Sequence, residues 1–199
     1  MKRANTMLAV MAAALLMGSL SMVPGARAAV PSKDRDAAFE RVLNGFETVP
    51  TRAALERAFP DARARLLAAA TDATRRDGWP RQRAITLLNL YRDAGVRAAL
   101  EGLAHDALPR IRRMAVYTLG RSFGHPGDAK LVESVQAAIA DPVPDVRDLA
   151  VRALRWIEHP AARAALASLV KSHPDPAVRR LAEVTLERWT KRWTKRWRR

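Results

Sequence analysis

The sequence predicts an all-α protein, an α-solenoid (superhelix) of about five stacked helical hairpins. Three observations carry this. A frame of the form D-x-x-P-x-[IV]-R-x-x-A-x-x-x-L recurs in four copies. A second amphipathic stretch separates successive copies, with Gly and Pro at the junctions. No alternating run long enough for a strand interrupts the pattern.

Composition sets the outer bounds. The chain has 199 residues, 49% of them hydrophobic and 28% charged, and no cysteine. That is too apolar for a disordered chain and too charged for a polytopic membrane protein. Without cysteine there is no disulfide, no thiolate-bound metal and no thiol nucleophile. The net charge is +15, but 29 of the 35 basic residues are Arg. This bias in composition is weak ground for nucleic-acid binding.

Residues 1–28 read as a signal peptide. Lys2 and Arg3 precede an almost continuously apolar run from Met7 to Val23, Pro24-Gly25 breaks any helix, and Ala26-Arg27-Ala28 offers small residues at a leader-peptidase site. The apolar run nearly reaches the ~17–25 residues of a membrane span, but the breaker and the Ala26 and Ala28 positions favour cleavage. The mature chain then starts at Ala29 and is periplasmic or secreted.

Residues 29–76 form an N-terminal helical capping region, with helices expected near 36–46, 51–59 and 60–74 and no full copy of the frame. Residues 77–187 hold the repeats. The first copy runs through Asp77, Pro80 and Arg83, the second through Asp106, Pro109 and Arg112, the third through Asp141, Pro144 and Arg147, and the fourth through His173, Pro176 and Arg179. Pro suits the first turn of a helix, where its missing N–H has no partner in any case. The apolar position, the small residue (Thr86, Ala115, Ala150, Ala182) and the Leu (Leu90, Leu119, Leu154, Leu186) follow at intervals of four, on one helical face. A small residue in mid-face lets a neighbouring helix approach closely. The Asp can accept from N–H groups at the helix start, and can pair with a repeated Arg nearby or in the adjacent unit. Between copies, 96–104, 129–140 and 161–170 supply the partner helices.

These residues resemble HEAT-like repeats of the short type named after phycobilisome (PBS) lyases, over about residues 77–187. Gln82 and Thr86 in the first copy and His173 in the last depart from the pattern, as edge repeats do. The resemblance implies stacked hairpins with one continuous core and a curved surface for partners. It does not imply lyase activity, because function resides in a site and not in a fold.

A catalytic constellation does not emerge. Gly120-Arg121-Ser122-Phe123-Gly124 fits G-x-S-x-G, but that motif needs a strand before the serine, and 109–119 is helical in pattern. Gly120 is expected to be the C-terminal stop of that helix. His105, His125, His159 and His173 all fall in junctions beside Asp or Pro, with no H-x-x-x-H pair. HEAT-type hydroxylases bind metal through His-Glu pairs, and no His-Glu dipeptide occurs here. No cofactor and no metal are expected.

Residues 188–199 form a basic, Trp-rich tail with seven positive charges and no negative one. On a helix, Trp189, Trp193 and Trp197 follow Leu186 in four-residue steps. Either the tryptophans cover the open end of the solenoid, with Trp189 the first to be core, or Trp193, Trp197, Lys191, Arg192, Lys195 and Arg196 bind an anionic lipid surface or an envelope polyanion. Such stretches also suit single-stranded nucleic acid, a partner that export removes from reach. The expected function is an exported, non-enzymatic scaffold or adaptor for protein–protein interaction. The alternative is a peripheral binder of anionic surfaces through the tail.

Overall fold

Ten α-helices make up the described part of the molecule: α1 (Ser32–Asn44), α2 (Arg52–Ala58), α3 (Ala62–Thr71), α4 (Gly78–Leu88), α5 (Ala94–Leu103), α6 (Pro109–Phe123), α7 (Ala129–Ala137, extended by a 3-10 turn at Ala138–Ala140), α8 (Pro144–Leu154), α9 (Pro160–Ser172) and α10 (Pro176–Trp197). The computed structural model describes residues 32–45, 49–75 and 78–197, with side chains from 34 to 193 within those ranges. The leader with Ala26 and Ala28, the repeat residue Asp77, and the side chains of Lys195, Arg196 and Trp197 lie outside the described residues.

Two layers follow from the repeat. Helices α4, α6, α8 and α10, which carry the four copies of the frame, pack side by side, with α1 against α4. Helices α3, α5, α7 and α9 form the second layer, each packed on the helix that follows it. The frame explains the first layer. Ala115, Ala150 and Ala182 are fully buried, as are Ile111, Val146, Leu119 and Leu154. Each buried Leu or Ile contributes ~1.5–3 kcal/mol of apolar burial. Close approach extends to Gly120, where a Cβ would come within 2.8 Å of the Ala153 carbonyl oxygen.

Gly120 is therefore not the helix stop that the sequence suggests. It lies inside α6, pressed against α8, and the C-cap is Gly124, whose N–H donates to the Gly120 carbonyl. Ser122 beside it is 2% exposed and donates to Asn89 Oδ1 at 2.8 Å.

The frame's Asp and Arg act on the loops. Asp106 Oδ1 accepts from the Leu108 N–H and Asp141 Oδ1 from the Val143 N–H, two residues on in each case. These bonds shape the turn before the helix, and the helix itself begins on Pro109 or Pro144 without a side-chain cap. Arg112, Arg147 and Arg179 each turn Nη1 back to two carbonyls of their own preceding loop, Asp106 and Ala107, Asp141 and Pro142, His173 and Pro174 respectively. The second-layer helices α5, α7 and α9 are capped directly. Asp93 accepts from the Val96 N–H, Asp128 from the Leu131 N–H and His159 from the Ala161 N–H.

Candidate functional site

Arginine organises the surface of the solenoid in two ways. The first is pairing between units. In the frame-bearing layer Arg81 pairs with Asp106, and Arg112 meets Asp141 bidentately at 2.7 and 2.9 Å. In the second layer Arg63 meets Asp93 at 2.7 and 2.5 Å, and Arg97 meets Asp128 at 2.5 and 3.1 Å. The guanidinium of Arg63 holds the Asp93 carboxyl at about 2, and that of Arg97 holds Asp128 at about 2, both below the ordinary carboxylate value. Of these pairs only Arg112–Asp141 follows the repeated Arg and Asp of the frame. At the first junction the pairing falls to Arg81, while Arg83 is buried within α4.

The second arrangement gathers arginines around tryptophan. Where α4, α6 and α8 end beside α10, a cleft of about 450 Å³ is lined by Asn89, Arg92, Arg121, His125, Trp156, Arg192 and Trp193. Trp156 follows α8 and is half-buried. The guanidinium carbons of Arg121, Arg155 and Arg192 lie 5.8, 4.5 and 4.4 Å from its ring centroid, within cation–π range. Arg192 also lies 5.1 Å from the Trp193 ring. His125 stacks on Trp193 at 5.6 Å and its Nδ1 engages the Glu158 carboxylate. The lining contains no Asp or Glu among the described residues, and the Trp156 indole N–H is buried without a hydrogen-bond partner.

The tail residues divide accordingly. Trp189 is 1% exposed and donates its indole N–H to the Ile157 carbonyl at 2.8 Å. Trp193 is 4% exposed and donates to the Arg155 carbonyl at 3.2 Å. This corrects Trp193 as a surface anchor: its ring packs on the end of the solenoid, and its polar atom is already bonded to protein. Lys191 and Arg192 are exposed, Lys191 pairing with Glu187 one turn back. Of the candidate tail residues with described side chains, Arg192 and Trp193 line the cleft and Lys191 does not. Sequence reasoning missed Asn89, Arg92, Arg121, His125 and Trp156, which come from three other units. The Arg155-Trp156 and Arg192-Trp193 dipeptides were the available signal.

Among the described residues no group of three or more His, Asp or Glu side chains could hold a metal ion, and no helix is long and apolar enough to cross a membrane.

Comparison with known proteins agrees with this architecture. Residues 132–188 match the family model for HEAT repeats. The chain is similar to human deoxyhypusine hydroxylase in complex with glycerol, at 28% identity and a TM-score of 0.54 over 65% of this chain and 43% of that one. It therefore spans less than half the length of the hydroxylase. It is also similar to the complex of CpcE and CpcF of phycocyanin lyase from Nostoc sp. PCC7120, at 19% identity and a TM-score of 0.52 over 75% of this chain and 98% of that one. A designed armadillo repeat protein in complex with the peptide (KR)4 aligns at 18% identity and a TM-score of 0.50, over 81% of this chain and 77% of that one. No curated protein matches the chain. The fold is an all-α repeat solenoid of the HEAT and armadillo kind, and residues 132–188 carry the HEAT repeat signature.

Proposed function

We propose that the protein is an exported, non-enzymatic scaffold that holds a partner protein, and that its repeats are of the PBS-lyase HEAT-like type. The observation that carries this role is the cleft at the ends of α4, α6 and α8. Four successive units each contribute a side chain to it, as an extended binding surface of a solenoid does. HEAT repeats generally bind proteins, and the designed armadillo relative is seen with a peptide. The leader, with its Ala26-Arg27-Ala28 site, supports export to the periplasm.

Peripheral attachment to an anionic surface is the second role. It is favoured by the exposed row of Arg188, Lys191 and Arg192 along α10, and weakened by the inward packing of Trp189 and Trp193. Cross-linking and affinity capture from envelope extracts test the scaffold role, with cell fractionation and mass spectrometry alongside. The expected result is a protein starting at Ala29 that retains a partner at near-equal amounts and does not sediment with membranes. An intact Met1 on membrane-bound protein overturns the export part. Capture of no protein, together with salt-sensitive sedimentation on anionic vesicles, overturns the scaffold part.

A further inference from the structure

Apart from His125 and Trp193, whose ring nitrogens already engage Glu158 and the Arg155 carbonyl, the polar groups lining the cleft present hydrogen-bond donors. Arg92, Arg121 and Arg192 supply guanidinium forks. Asn89 accepts from Ser122 through Oδ1, which leaves its amide N–H groups as the part available to the cleft. The Trp156 indole N–H is buried with no acceptor, and a buried unsatisfied donor is costly until an acceptor arrives. His125 is engaged by Glu158. Three guanidinium groups also converge on one indole ring with no carboxylate in the lining, whereas the arginines that join units elsewhere each face an Asp. A site of this kind is complementary to a ligand that is anionic and rich in acceptors.

We infer that the cleft binds an acidic segment of the partner protein, with one Asp or Glu carboxylate held between Arg121 and Arg192 over the edge of Trp156. Guanidinium matches a carboxylate through two parallel N–H···O bonds. The amide of Asn89 suits a peptide carbonyl of the same segment. A cleft of about 450 Å³ is within the range of pockets that enclose small ligands, large enough for one or two side chains. Charge complementarity sets the sign of the partner. A lipid headgroup is the poorer fit, because the rings of Trp189 and Trp193 are buried and neither projects towards a bilayer.

The inference rests on the scaffold role and names the chemistry of its partner. Its test is fluorescence anisotropy of the mature protein with labelled hexaglutamate and hexalysine peptides, and co-sedimentation with phosphatidylglycerol vesicles. Hexaglutamate is expected to bind and hexalysine to fail. Arg121→Gln, at an exposed position on α6, should weaken hexaglutamate about tenfold or more with no change in melting temperature. Trp156→Phe should weaken it by removing the N–H while keeping a ring. Arg163→Gln, exposed on α9 outside the cleft, should leave binding unchanged. Equal binding of hexaglutamate by the wild type, Arg121→Gln and Trp156→Phe overturns the inference. So does binding of vesicles that depends on Arg121 while hexaglutamate is ignored. If hexaglutamate fails but a captured envelope protein is retained by both wild type and Arg121→Gln, the acidic-segment inference falls and the scaffold role stands.

Discussion

The junctions between units are held differently at the two ends of the solenoid. From α3 to α8, each layer is cross-linked by Arg–Asp pairs, Arg63–Asp93 and Arg97–Asp128 in one and Arg81–Asp106 and Arg112–Asp141 in the other. At the last unit both ladders lose their acid, because His159 and His173 stand where Asp would be. Each histidine keeps the local task, accepting from the N–H two residues ahead. The long-range task is dropped, and Arg147 bonds only to the carbonyls of its own loop. In its place, Trp189 and Trp193 reach back from α10 to the Ile157 and Arg155 carbonyls. Turn shaping and unit-to-unit adhesion are thus separable properties of one position, and apolar contact can replace charge at the end of a stack.

The largest effect is expected from breaking the aromatic end. Trp189→Ala removes a fully buried indole and its hydrogen bond and should cost ~3–5 kcal/mol, read by denaturant titration, with hydrogen exchange rising first in α9 and α10. Arg112→Ala attacks the ion-pair side. The Arg112 and Asp141 side chains are 15% and 9% exposed, and a carboxylate stranded at that depth costs about 3 kcal/mol, with lost protection centred on α6 and α8. Ala150→Leu tests the packing common to both ends. Ala150 is fully buried, and overpacking should cost ~1–3 kcal/mol, whereas Arg152→Ala, exposed on the same helix, should cost under about 0.5 kcal/mol. Equal midpoints for these two would place the repeat in the wrong register.

Acid should separate the regions further. Asp93 and Asp128 are held at about 2 in the folded protein, below the ~3.9 of an unfolded Asp. Their pairs are therefore fully stabilising above about pH 4, and that contribution is lost as the pH falls through about 2. Both side chains are more than a third exposed, which limits each to under about 1 kcal/mol. Hydrogen exchange across this window should rise first in α5 and α7. The smallest effect is a gain: His173→Asp restores an acid opposite Arg147 and should stabilise by about 0.5 kcal/mol at neutral pH. A neutral or harmful result would mean that the last junction has lost the geometry of the ladder as well as its charge.

Much of this was legible in the sequence, and the reasons differ by element. The frame marked α4, α6, α8 and α10 because Pro, the small residue and the Leu meet local and packing demands together, and Ala115, Ala150 and Ala182 are fully buried as that logic requires. The second ladder left a signal that went unused: Asp93-Ala94-Gly95-Val96 and Asp128-Ala129-Lys130-Leu131 repeat an N-cap pattern that His159-Pro160-Ala161-Ala162 continues. Gly120 was misjudged because a helix-ending glycine and a close-packing glycine look alike in one dimension. The cleft was hidden for a topological reason, since Asn89, Arg121, Trp156 and Arg192 belong to four units and become neighbours only when the helix ends align.

The stacking of Trp193 on His125 joins α10 to the loop after α6, across the intervening α8. Repeat proteins ordinarily couple only neighbouring units, so this contact adds a second-neighbour spring at one end. Mechanically the contact stiffens the last three units against one another, and three of the four units that line the cleft lie there.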